Sequence, residues 1–299
     1  MATEQRNGER AGAFEVTRFD ENPIIRPDMD GRMGSNINGP SLIRVPEWVA
    51  EPLGRYYLYF GHHKGGYIRL AYADALQGPW RMHEDGVLDL ADSHCSGHLA
   101  SPDVHVDHDL RRIRMYTHGP TKGHGQVTRV ALSDDGLTFD AAPEILGTSY
   151  FRVFDWGGTT YALGMPGIFY RSDDSLTNFE QGPQRFSEDM RHTAVALRGD
   201  TLHVFYSDVG NTPERILHSQ IDLTPDWNDW RETEAVTVVQ PETEVEGTDL
   251  PLEASVRGWS RDRVRQLRDP AIFEEDGRVY LLYSVAGEAG IAIGELTGM

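Results

Sequence analysis

The residues of this chain best suited to chemistry are scattered, with a few polar groups opening each of several short strands. They are Asn36 and Asn38, Asp103 with His105, Arg152, His192, and Arg268 with Asp269. Carboxylates can carry protons or stabilise positive charge, imidazoles titrate near neutrality, and guanidinium and amide groups orient polar ligands. No compact motif joins them. A Gly-rich phosphate loop, a GxSxG elbow, a kinase signature set, an HExxH helix and a CxxC pair are all absent from the sequence. Groups this dispersed make a site only where the fold brings them together.

The elements that must do so are clearest near the C-terminus. Arg268-Asp269-Pro270-Ala271-Ile272-Phe273 leads into the turn Glu275-Asp276-Gly277, and Arg278-Val279-Tyr280-Leu281-Leu282-Tyr283-Ser284 runs back. Asp-Gly between alternating apolar runs signals a hairpin. The same phrase recurs in weaker form along the chain, with first-strand landmarks at Pro40, Pro102, Phe151, Thr193 and Pro270, spaced by 62, 49, 42 and 77 residues. The last interval is long because a polar, Pro- and Gly-interrupted insert runs from Gln240 to Gln266. Repeats of this kind predict an all-β protein, a five-bladed β-propeller of four-stranded antiparallel blades in one domain over 14–299. The blades are expected near 36–90, 97–146, 149–186, 190–240 and 266–299, with 14–25 closing the last one and 1–13 forming a flexible tail.

In a propeller the strand entrances converge on an axial funnel, so the groups above become candidates for one site. A second polar tier follows the second strands: His62-His63, His118, Asp208 and Glu288. The formal charge of −19, from 47 acidic against 28 basic residues, argues against nucleic acid or an anionic membrane as partner. The N-terminus has no apolar signal-like segment and no run is long enough to span a bilayer, so a cytoplasmic protein is expected. The single cysteine, Cys95, has no internal disulfide partner.

In these features the chain resembles the five-bladed propeller glycosidases of glycoside hydrolase family 43 and its relatives, the arabinanases, β-xylosidases and α-L-arabinofuranosidases. The resemblance is carried by Asn22-Pro23-Ile24-Ile25, Gly39-Pro40-Ser41-Leu42, Gly54-Arg55-Tyr56-Tyr57-Leu58-Tyr59, Gly78-Pro79-Trp80, Ser101-Pro102-Asp103-Val104, Asp269-Pro270-Ala271-Ile272-Phe273 and Asp276-Gly277-Arg278-Val279-Tyr280-Leu281. It implies an Asp base, a pKa-tuning Asp and a Glu acid at the funnel entrances. Inverting hydrolysis sets the acid and base about 6.5–9.5 Å apart.

The chain departs from that pattern at the usual catalytic positions. Gly39-Pro40, flanked by Asn38, stands where the family's first-blade Asp-Pro is expected. Asp103 matches the second-blade Pro-Asp, Arg152 lies near the missing third-blade Asp, and His192 stands in the fourth blade. Asp269 matches the Asp-Pro motif but in the last blade, and Glu246-Gly247-Thr248 is a remote echo of the family's acid motif. Related hydrolases of neoagaro-oligosaccharides use a His as acid, which draws attention to His105 and His192.

The resemblance therefore implies a glycoside hydrolase acting on a small oligosaccharide or glycoside. Asp103, Asp269, Glu246 and His192 are its expected catalytic residues, and Asn36, Asn38, His105, His118, Arg152 and Arg268 its sugar contacts. Arg152 and Arg268 hint at an anionic sugar. No cofactor is required, and a funnel cation held by His192 or His105 is a subsidiary expectation. A sugar-binding propeller without turnover and a scaffold with a plugged funnel are the alternatives.

Overall fold

The run Tyr56-Tyr57-Leu58-Tyr59-Phe60 shows how the fold is built. All five side chains are at most 4% exposed, although they alternate between the two faces of one strand. A strand buried on both faces needs a sheet packed between two others, and each blade meets that need with its neighbours. The computed structural model describes residues 14–299, so the expected tail at 1–13 lies outside the described residues.

Five antiparallel sheets follow one another around a ring. The first blade runs Asn38–Arg44, Tyr56–Gly61, Tyr67–Ala73 and Arg81–Met82 from axis to rim. The second runs Ala100–Asp107, Arg112–Thr121, Gly125–Ser133 and Asp140–Ala141. The third runs Arg152–Trp156, Thr159–Gly164, Ile168–Ser172 and Glu180–Gln184. The fourth runs Met190–Arg198, Thr201–Asp208, Ile216–Asp222 and Val236–Val239. The fifth runs Arg268–Glu275, Arg278–Ser284 and Ile291–Thr297, and takes its outermost strand, Glu15–Arg18, from the other end of the chain. The outer strand of the first blade, expected as one element over 80–90, is two short pieces, Arg81–Met82 and Leu88–Asp89, both pairing with Tyr67–Ala73.

Five apolar clusters fill the five gaps between blades. Between blades one and two lie Tyr57, Tyr59, Leu70, Val104 and Met115, and between three and four Leu163, Phe169, Val204 and Trp230. Each fully buried large side chain contributes about 1.5–3 kcal/mol, so the ring is stabilised at its seams while the axis is left to polar groups. Among the described residues no helix is long and apolar enough to cross a membrane.

Candidate functional site

One residue per blade takes a left-handed conformation at the axial entrance of the inner strand. Gly39, Ser101, Tyr150, His192 and Asp269 have φ of 58°, 49°, 67°, 53° and 50°, each one position before the landmark read from the sequence. In four blades the ladder skips there, between Asn38 and Ser41, Ala100 and Asp103, Arg191 and Ala194, and Arg268 and Ala271. Such a bulge re-aims the side chain that occupies it. In the first two blades that side chain is small, because the backbones nearly touch: a Cβ on Gly39 would lie 2.7 Å from Ser101 Cα. Blades three to five present Tyr150, His192 and Asp269 instead.

These three meet. Tyr150 Oη donates to Asp269 Oδ1 at 2.8 Å, and His192 Nε2 lies 3.9 Å from the same oxygen. Asp269 is 1% exposed, and its Oδ2 has no hydrogen-bond partner. Burial and then the negative charge of Glu288 push its carboxyl up to about 6, against the Tyr150 hydrogen bond and the charges of His63 and Arg268. Burial, reinforced by Arg191 and Arg268, holds the His192 imidazole well below its usual range and therefore neutral.

Beside them lies a buried network of charges. Arg268 bridges two carboxylates, with Nε 3.1 Å from Glu214 and Nη1 2.9 Å from Glu288. Arg191 completes the coordination of Glu214 at 2.5 and 2.9 Å, and Ser207 donates to it at 2.7 Å. Glu288 Oε2 accepts from Asn36 at 2.6 Å and Asn38 at 3.2 Å, and pairs with His63 Nδ1 at 2.7 Å. Burial works to raise the Glu288 carboxyl, but the hydrogen bond and charge of His63, then Arg268 and Asn36, outweigh it and hold it low and ionised. His63 is correspondingly raised, its burial outweighed by Glu288.

Aromatic rings close the circuit. His63, His98, His118, Tyr150 and His192 follow one another with centroids 6.3, 6.3, 5.8 and 5.5 Å apart. His98 Nε2, His118 Nδ1 and Asn38 Oδ1 are buried without partners. A strap from the long insert lies over the charged part. Gly258 O accepts from Arg191 at 3.1 Å and Arg268 at 3.3 Å, Ser260 N donates to Glu288 at 3.1 Å, and Asn36 donates to Ser260 O at 3.3 Å.

Of the residues singled out in the sequence, Asn36, Asn38, His118, His192, Arg268 and Asp269 join this circuit. Asp103 and Arg152 each stand two positions beyond the left-handed residue of their blade and also tie neighbouring blades together. Asp103 Oδ2 accepts from Val153 N at 2.8 Å, clamping blade two to blade three, and bonds His105 at 2.8 Å. Ser41 makes the same clamp to Val104 N at 2.9 Å between blades one and two. Arg152 donates to the carbonyls of Thr193, Ser101 and Phe151 and stacks on Tyr150 at 4.2 Å.

Glu246 corrects the sequence expectation, since it does not reach the axis. Both its oxygens are taken by Arg18, Tyr283 and the backbone of Glu242 and Thr243, where the insert meets the closing strand. Arg268 is likewise buried among Glu214, Glu288 and Gln266 rather than open to an anionic sugar. Among the described residues no group of three or more His, Cys, Asp or Glu side chains is arranged to hold a metal ion, so the expected funnel cation finds no such cluster.

Tyr150 and Glu214 were not anticipated. Tyr150 carries no chemical signal except its place before the Phe151 landmark, and Glu214 follows a Pro in an unremarkable loop. His63 and Glu288 were visible only as members of the second polar tier.

The architecture is a five-bladed propeller, here with a polar axis, and solved structures of glycoside hydrolase family 43 share the fold. CoXyl43, a β-xylosidase/α-arabinofuranosidase from a compost microbial metagenome, superimposes with a TM-score of 0.60 over 95% of this chain and 94% of its own, at 14% identity. A family 43 enzyme from Xanthomonas citri gives 0.59 over 89% and 88%, at 14% identity. An exo-1,5-α-L-arabinanase from a bovine ruminal metagenomic library gives 0.58 over 87% and 93%, at 11% identity. At these identities the likeness is one of fold. No family profile matches the sequence. The chain belongs to one family with uncharacterised protein R118 of Acanthamoeba polyphaga mimivirus, which is 34% identical over 321 aligned positions covering 94% of this chain and 90% of that protein.

Proposed function

We propose that the protein is a glycoside hydrolase with Asp269 as its proton donor. The observation that carries this reading is the Asp269 carboxyl, buried, raised to about 6 and with Oδ2 unpartnered, beside a Glu288 carboxylate held low. Two carboxyl groups pushed in opposite directions are what acid-assisted glycoside cleavage requires. Asp269 Oδ2 delivers its proton to the glycosidic oxygen as the C–O bond breaks. The fixed charge of Glu288 favours the positive charge developing on the sugar ring, while Asn38 and His118 offer hydrogen bonds to its hydroxyls.

Asp103 fits the role of base. Burial works to raise it, but His105 and Arg152 hold it ionised, and both its hydrogen bonds fall on Oδ2, leaving Oδ1 for a water molecule. That water loses a proton to Asp103 and adds to the anomeric carbon, so the products are a free sugar and an alcohol. The fold shared with family 43 enzymes supports the substrate class.

Replacing Asp269 with Asn tests the reading on a panel of aryl furanosides and pyranosides. Turnover is expected to fall by about 10³-fold or more with secondary structure intact. Unchanged turnover would remove Asp269 from the mechanism, and binding without hydrolysis by the wild type would favour a lectin-like propeller.

A further inference from the structure

The chain has two lysines, Lys64 and Lys122. Both lie in loops between the second and third strands, on blades one and two. These loops stand at the same end of the ring as the axial bulges, because each second strand ends opposite the start of an inner strand. The strap brings a third cation there. Trp259 packs on His63 with ring centroids 6.5 Å apart, and Lys64 Nζ and Arg261 lie 5.0 and 5.4 Å from its ring.

Elsewhere exposed arginines are typically matched to acids, as Arg257 is to Asp189 and Arg263 to Asp249 at the two ends of this same strap. Among the described residues Lys64, Lys122 and Arg261 form no salt bridge, whereas His63 beneath Trp259 is paired with Glu288. Asp262 follows Arg261 in the chain, so the local positive charge rests on Lys64 and Lys122 as much as on Arg261. Lys64 and Arg261 flank Trp259 and Lys122 stands at the same end on blade two, whereas Asp208 lies on blade four. On a chain with net charge −19 these unpaired cations make that side of the opening the part most attractive to anions.

We infer that the mouth of the propeller binds a glycan bearing carboxylate or sulfate groups, held by Lys64, Arg261 and Lys122 outside the axial site. Its role as a substrate subsite rests on the glycosidase reading, whereas the binding itself does not. The cations assigned here are exposed at the mouth, unlike Arg152 and Arg268, which are buried inside the structure.

Titration calorimetry of the full chain carrying Asp269→Asn tests it with trigalacturonate, a sulfated disaccharide and neutral maltotriose. At least one acidic probe is expected to bind roughly tenfold or more tightly than maltotriose, with the difference shrinking as salt is added. The pair of acidic probes separates carboxylate from sulfate recognition. Adding Lys64→Met and Arg261→Met, both exposed and outside the core, is expected to abolish the preference while leaving the circular dichroism spectrum unchanged. Equal affinity for acidic and neutral probes, no binding of either acidic probe, or a preference that survives those two substitutions would overturn the inference. Acidic-probe binding by a wild type that cleaves nothing would sink hydrolysis alone. Rapid cleavage of neutral glycosides with no acidic preference would sink this inference alone.

Discussion

Tyr150 and Asp269 reach each other across the axis, from blade three to blade five, and share a hydrogen bond of 2.8 Å. Both sit in the left-handed region at the axial entrance of their blades, with φ of 67° and 50°. The bond holds one carboxyl oxygen and leaves the other free, and it favours the ionised form of Asp269.

Tyr150→Phe removes that bias. If Asp269 donates a proton, kcat/KM falls as pH rises through about 6. Without the phenol the carboxyl titrates higher, so this alkaline limb is expected to move up in pH. A pH–rate profile of both proteins checks the direction, and a limb moving down would contradict the assignment.

Asp269 also bears on stability. Its folded value of about 6 lies above the ordinary 3.8, so the folded state keeps the proton longer than the unfolded chain. The contribution is full below pH 3.8 and is lost as pH rises through about 6, by about 3 kcal/mol in total. Asp269→Asn is expected to flatten that part of the stability–pH curve in urea unfolding. A slope identical to wild type would show that other groups dominate this window.

Arg268→Met strands Glu214 and Glu288, both fully buried and bridged by this guanidinium. The expected loss is about 3–5 kcal/mol, seen as a lower urea midpoint with unchanged m-value. A loss under about 1 kcal/mol would mean that the network is hydrated and weakly coupled.

Glu246→Gln separates structure from chemistry. Glu246 ties the insert to Arg18 of the closing strand and to Tyr283, so neutralising it is expected to cost about 3 kcal/mol. Turnover per folded molecule is expected to stay near wild type. A large fall in kcat at full folding would return Glu246 to the catalytic set.

Gly39→Ala tests the bulge ring. The added methyl carbon would sit 2.7 Å from Ser101 Cα at a φ of 58°, combining a backbone clash with a left-handed conformation. A destabilisation of about 1–3 kcal/mol is expected in chemical denaturation. A neutral effect would show that blades one and two can separate at the axis.

The sequence by itself determined the repeat and its phase. Pro40, Pro102, Phe151, Thr193 and Pro270 each follow a residue with positive φ at the axial entrance, because strand alternation and turn chemistry are local and survive divergence. It also identified Asp269, His192, Asn36 and Asn38 as entrance residues, since the bulge sits at a fixed offset from those landmarks. Only the tertiary structure decided which polar groups meet. Asp103 is two positions past the bulge and turns to the neighbouring blade, Glu246 is captured by Arg18, and Glu214 and Tyr150 arrive from loops and strands with no distinguishing pattern. Contacts across an axis join residues more than a hundred positions apart, and their energy depends on burial and on the charges of other blades. Neither is encoded in the spacing along one strand.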